Sequence, residues 1–355
     1  MQPLQELLAA IKAPDPSLAS AAQDHLDNLT KPRGALGRLE ELARDLCVIK
    51  GSLELDQPRA AVTVFAADHG VTQAGVSLYP REVTAQMVFN FLAGGAGINV
   101  LARLAGAAVT VVDVGVDYDF DDLPGLVKAK VMPGTANMLE GPAMTREQAT
   151  QAVLAGARVG LELIGQGMDL LIPGDMGIGN TTASAALTAV FCGLPPAQVT
   201  GRGTGLDDHG LAQKIAVLEK VLTRRRPEAG DPLGVLAAVG GLEIAAICGY
   251  CLAAASRRVP VILDGFISTS GALVAARLAP AAAHYFIVGH SSMEQGHRAQ
   301  CQALGKRPLL DLDLRLGEGT GAALALNLAR AAVAIYNEMA TVASAGVTGD
   351  PEPRG

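Results

Sequence analysis

Six short apolar runs, each handing over within a few residues to a polar side chain, constrain this 355-residue chain more than any other feature. They are Ala61–Ala67, Ala108–Val114, Asp169–Ile172, Val259–Leu263, Tyr285–Val288 and Leu309–Leu314. Apolar runs bounded by Gly, Pro or Asp are what strands buried on both faces of a parallel sheet require. Helical spacing fills the intervals, over Val83–Arg103, Arg146–Gly165, Gly210–Arg224, Pro232–Ala255 and Gly271–Leu278. Strand alternating with helix predicts an α/β fold: a doubly wound, mostly parallel, Rossmann-like sheet of about six strands.

Composition says what fills it. Half the residues are hydrophobic, yet only 3% are aromatic and none is Trp, so Ala, Val, Leu and Ile must build the core. At the chain's start, Leu4, Leu7, Leu8 and Ile11 recur at helical spacing and Pro14 and Pro16 interrupt. After the Lys31-Pro32-Arg33-Gly34 turn, Leu36, Leu39, Leu42, Ala43 and Leu46 mark a second helix. A long apolar helix runs from about Thr320 to Ala343. The division expected is a small helical domain from residues 1–55 plus 322–348, and a large α/β domain, 56–321, carrying the active site.

A net charge of −7 argues against a nucleic-acid surface. Arg224-Arg225-Arg226 has no interleaved aromatics and reads as a solvated helix end. Met1 to Ala10 lacks the pattern of a signal peptide, and the uncharged stretch Thr181 to Gly201 is broken by Gly193, Pro195 and Pro196, which is no membrane span. A soluble, cytoplasmic protein is expected. The five cysteines form no disulfide framework; Cys248 and Cys251 sit in an Ala-rich helical pattern and read as buried packing.

The polar residues after the runs are Asp68-His69, Asp113, Asp175, Asp264, His290-Ser291 and Glu318. In an open α/β sheet the carboxyl ends of the strands frame the ligand crevice, so these should converge. Any one alone could merely cap the next helix. Glu318 stands out, between Gly317 and Gly319 on a turn into a helix. The glycines admit a ligand to the backbone, and the helix N-terminus favours an ionised carboxylate able to accept a proton. A helix-terminal charge without a ligand is the equal alternative.

Gly174 to Thr182 forms a glycine-rich turn whose N–H groups and hydroxyls suit a phosphate, making Gly177, Gly179, Asn180 and Thr181 candidate contacts. It matches neither a dinucleotide fingerprint nor a P-loop. Gly201 to Gly205, with Gly203 at its centre, leads to Lys214 as a second candidate cradle; a flexible connection and a surface lysine are the bland readings. Asp68, His69, Asp175, Asp264 and His290 could instead serve a metal-dependent hydrolase, but HxxxH and HExxH spacings are missing and no metal is expected. Ser291 has no GxSxG elbow to make it a nucleophile.

Taken in order, Lys31 to Glu40, Ala67 to Val71, Tyr79-Pro80 through Gln86-Met87, Gly177 to Thr182, Val239 to Glu243, Leu263 to Phe266 and Leu316 to Gly319 resemble the nicotinate-nucleotide–dimethylbenzimidazole phosphoribosyltransferase family over nearly the whole chain. The resemblance implies a homodimer without cofactor or metal. Its substrates would be nicotinate mononucleotide and a benzimidazole-type base, used in assembling the lower-ligand nucleotide of cobalamin. It makes Glu318 the general base. Asp175 stands where the family normally carries glutamate, near the ribose. Lys214, Asp264, Ser291, Gly317 and Gly319 become substrate-binding positions, and Tyr79, Gln86 and Met87 a pocket for the base. A non-catalytic nucleotide sensor and a phosphohydrolase are the competing classes.

Overall fold

The computed structural model describes residues 2–348. Three helices come first: α1 (Gln2–Ala10), α2 (Leu18–Asp27) and α3 (Arg38–Lys50). Then follow β1 (Ala60–Ala67), α4 (Glu82–Leu92), α5 (Gly97–Leu104), β2 (Ala108–Gly115), β3 (Leu126–Lys128), α6 (Arg146–Gly165), β4 (Leu170–Met176), α7 (Asn180–Cys192), α8 (Pro196–Val199) and α9 (Asp208–Arg225). The remainder is α10 (Pro232–Val239), α11 (Leu242–Ser256), β5 (Val261–Leu263), α12 (Phe266–Leu278), β6 (Phe286–Val288), β7 (His290–Ser291), α13 (His297–Leu304), β8 (Leu310–Asp311), α14 (Thr320–Glu338) and α15 (Val342–Ala345).

Within these residues the main sheet has six parallel strands in the order β3-β2-β1-β4-β5-β6. The chain winds outward from β1 to β3, then returns to lay β4 against β1. That reversal splays the loops on the carboxyl side of β1 and β4 and opens a crevice there. Successive β1 residues serve opposite faces: Val62 packs toward the start of α14, whereas Thr63 hydrogen-bonds Tyr250 of α11 at 2.8 Å.

Helices α6, α11 and α12 stack beyond the Thr63 face. Nearly every residue of α11 is buried. Its backbone touches that of α6, because a Cβ on Gly156 would lie 1.8 Å from the Ala246 carbonyl oxygen and one on Gly249 1.7 Å from that of Val153. On the other face α14 packs with α5 and α3. Buried side chains from α1 to α3 and from α14 belong to the same continuous core as the sheet.

The sheet departs from the expectation at its edges. The sixth strand is β3, three residues long, and not Leu309–Leu314. That segment alternates Leu with Asp, Leu312 is half exposed, and only β8 forms, pairing with β7 in a separate two-stranded ladder. Alternation signals a one-sided strand, which cannot sit inside this sheet. The helices expected over Val83–Arg103 and Pro232–Ala255 are each broken in two, at Gly94-Gly95 and Gly240-Gly241. Glu82–Leu104 is apolar and long enough by composition to cross a membrane, but this break divides it into two shorter helices, α4 and α5. Helix α12 starts at Phe266, five residues before expectation, and α14 ends at Glu338 where Met339 turns extended.

Candidate active site

A cleft of about 450 Å³ opens at the carboxyl end of the sheet, lined by residues from the loops after β4, β5 and β6 and by one face of α4. Glu318 forms part of its wall and is 6% exposed. Its backbone is left-handed (φ +63°), as are Gly317 (+87°) and Gly319 (+95°), so three consecutive residues occupy a region that favours glycine. Its Oε2 accepts the Ile98 N–H at 3.0 Å, in the first turn of α5. Burial raises the carboxyl above its ordinary pKa, the Ile98 N–H opposes this, and nearby Asp264 adds to the rise. The group is therefore a stronger base than the plainly ionised carboxylate expected from a helix N-terminus.

Asp175 faces the same space from the end of β4. Burial pushes its carboxyl well above the usual range, and Asp264, Glu243 and Glu318 push it further; the Asn180 amide, donating at 3.2 Å, only partly offsets them. Beside it, Gly177 lies so close to the Ala67 carbonyl oxygen that a Cβ would come within 2.4 Å. Gly179 is left-handed (φ +96°) and precedes α7, whose first residues Asn180 and Thr181 line the cleft. A helix N-terminus behind glycines, with no side chain capping it, is a ready anion cradle.

Across from it, Gly203 (φ +52°) lines the cleft and donates its N–H to Glu294 at 3.0 Å. Lys214 is wholly buried behind this wall, not a surface lysine. Its ammonium donates to Thr181 Oγ1 at 2.7 Å and the Gly201 carbonyl at 3.4 Å, and burial lowers its pKa to about 8 despite Glu294. It underpins both glycine loops.

The structure sorts the remaining candidates. Tyr79, Val83 and Met87 line the cleft, but Gln86 is exposed on α4 and absent from its wall, since it stands about 100° around the helix from Met87. Ser291 is held in the β7–β8 ladder, and Ser292 reaches the cleft instead. Asp264 and Gly319 lie behind the wall rather than in it. His290 lines the cleft, with Nε2 3.3 Å from Asp264. Asp68 and Asp113 accept loop N–H groups from Asp117 and Val116, and His69 pairs with Glu243 at 2.6 Å beneath Gly177. Among the described residues no three His, Cys, Asp or Glu side chains converge as a metal cage. Cys248 and Cys251 are buried in α11. Residues the sequence did not single out are Glu294 and Ser292, which line the cleft from the β7–α13 connection. Ser292 lies one position past the His290-Ser291 strand end, and nothing in the pattern marks Glu294. Phe266, marked in the sequence only as the end of the Leu263-to-Phe266 segment, lines the cleft from the start of α12.

Comparison with known proteins gives consistent matches. The family model DBI_PRT, described as phosphoribosyltransferase, matches residues 11–347. The chain is 54% identical to the nicotinate-nucleotide–dimethylbenzimidazole phosphoribosyltransferase of Chlorobaculum tepidum, covering 97% of this chain and 98% of that protein. It is 55% identical to the enzyme of the same name from Geobacter sulfurreducens, with the same coverage. The crystal structure of CobT from Thermus thermophilus superposes with a TM-score of 0.91 at 52% identity, covering 96% of this chain and all of that one (100%).

Proposed function

Because the chain belongs to the nicotinate-nucleotide–dimethylbenzimidazole phosphoribosyltransferase family, we propose that its cleft moves ribose 5-phosphate from nicotinate mononucleotide to 5,6-dimethylbenzimidazole or a related base, with Glu318 as the general base. The products are nicotinate and α-ribazole 5′-phosphate, a step in assembling the lower-ligand nucleotide of cobalamin. The observation that carries this reading is the Glu318 carboxyl, buried in the cleft wall and made more basic by its surroundings.

The chemistry asks for such a group. In the mononucleotide the pyridinium leaves with its ring neutral and needs no protonation. The demand falls on the incoming base: as one ring nitrogen attacks the anomeric carbon, the N–H of the other becomes acidic. Glu318 accepts that proton while the C–N bond forms. Attack from the face opposite the departing nicotinate inverts the anomeric carbon. The amides and hydroxyls at the start of α7 and the Gly203 loop, with Lys214 behind them, support a role in seating the phosphate and so orienting the sugar. Gly177, Gly179, Asn180 and Thr181 form one side of that seat, with Asp175 beside them toward the ribose; Tyr79, Val83 and Met87 offer an apolar wall for the heterocycle. We place the protein in the cytoplasm as a homodimer, with segments 1–55 and 322–348 as a helical unit beside the α/β body.

The test is Glu318→Gln, which keeps shape and loses basicity. Turnover is expected to fall by about a hundred- to ten-thousand-fold. The parent enzyme should lose activity on the acid side, through a pKa above the ordinary glutamate value, because only the deprotonated carboxyl accepts. Near-parental rates in the variant, measured by mass detection of the ribotide, would remove Glu318 from the mechanism.

A further inference from the structure

Glu318 is held by a residue that does not reach the cleft. Asp264 follows β5 directly and is fully buried, 0% exposed. Its Oδ2 accepts the Gly319 N–H at 3.1 Å, and its Oδ1 accepts those of Gly321 at 2.7 Å and Ala322 at 3.1 Å. These belong to the start of α14, where N–H groups have no partner within the helix. The capping residue, Gly319, has no side chain to satisfy them. A carboxylate from another strand does so, where the helix dipole favours negative charge. His290 Nε2 adds a contact to Oδ1 at 3.3 Å, without hydrogen-bond alignment.

The same turn is closed from two other sides. Thr320 Oγ1 donates to the Gly317 carbonyl at 2.8 Å. Gly174 lets the Glu318 carbonyl pass where a Cβ would come within 2.2 Å. A left-handed glutamate costs roughly 1–3 kcal/mol and persists only when its surroundings over-determine it. Three N–H bonds to one buried carboxylate are the strongest of those constraints.

We propose that Asp264 is a positioning residue: it clasps the backbone of Gly319, Gly321 and Ala322, thereby fixing Glu318 in its left-handed conformation and aiming its carboxyl into the cleft, and it touches neither substrate. The proposal rests on Glu318 being the base, and gives Asp264 a different role from the substrate contact that family resemblance implies.

The experiment places Asp264→Asn in the parent and in the Glu318→Gln background, measuring kcat, KM and direct binding of nicotinate mononucleotide. Both Asp264 oxygens accept N–H groups, so whichever way an asparagine turns, its amide NH2 faces a donor and the clasp loosens. In the parent, kcat is expected to fall about ten- to a hundredfold, the scale of a small misplacement of a catalytic group, with mononucleotide binding unchanged. In the Glu318→Gln background the same substitution should cost little more, because two residues acting as a unit are not additive. Mononucleotide binding weakened in step with turnover, or a full further loss in the Glu318→Gln background, would overturn the proposal. If Asp264→Asn does not fold, Gly319→Ala disturbs the same turn by strain at φ +95° while keeping the N–H. It should show the same split, and unaltered turnover there overturns the clasp. A Glu318→Gln enzyme that is itself near-parental points to the base assignment as the part that failed.

Discussion

Acidic groups crowd the cleft and its floor, and Asp175 bears most of the consequence. Asp264, Glu243 and Glu318 all raise its pKa, on top of burial. An unfolded aspartate releases its proton near 3.8, whereas the folded Asp175 keeps it to higher pH. Between those two pKa values the folded state binds more protons, so its contribution to stability falls as pH rises through that window. Asp175→Asn removes the dependence. Its Tm should match the parent's near pH 4 and exceed it at about pH 8; a less stable variant at about pH 8 would mean the carboxylate has a stabilising partner there. At this scale the sequence spoke through glycine. Glu318 and Asp175 were legible because left-handed turns and strand ends mark them, and Asp264 was legible as a strand-end acid but not as a backbone clasp. Gln86 and Ser291 do not line the cleft, because neighbouring residues on a helix or a short ladder point different ways, which depends on local register.

Between elements, the closest packing lies where α6 crosses α11. Gly156 and Gly249 let the two backbones meet, and neither helix can shift without opening the layer over β1 and β4. Gly249→Ala puts a methyl where the Val153 carbonyl oxygen stands, 1.7 Å from its ideal position. It should cost at least about 1–3 kcal/mol, seen as a lower midpoint in urea, with the cleft chemistry of the folded fraction intact. An unshifted midpoint would show that the layer yields. Five of the six sheet strands were readable as buried runs because both faces are covered. Strand β3 was not, since three residues, none of them buried, carry too little pattern. Helix breaks at paired glycines escaped a reading based on apolar spacing alone, because spacing continues across Gly94-Gly95 while the backbone does not.

For the whole molecule, the crevice follows from strand order: β4 returning beside β1 puts two glycine loops and the Glu318 turn at one end of the sheet. A ligand seated there bridges loops from both halves of the winding and should stabilise the entire fold. Nicotinate mononucleotide at a hundred times its Kd should add about 2.7 kcal/mol, read as a rise in thermal midpoint. No rise at saturating concentration would place its site elsewhere. The left-handed glutamate has one more consequence. Glycine would relieve its backbone strain at once, so a population selected only for surviving heat would drift toward Glu318→Gly and discard the reaction. Any breeding of a hardier version must therefore demand product in every round, because durability and chemistry pull this codon in opposite directions.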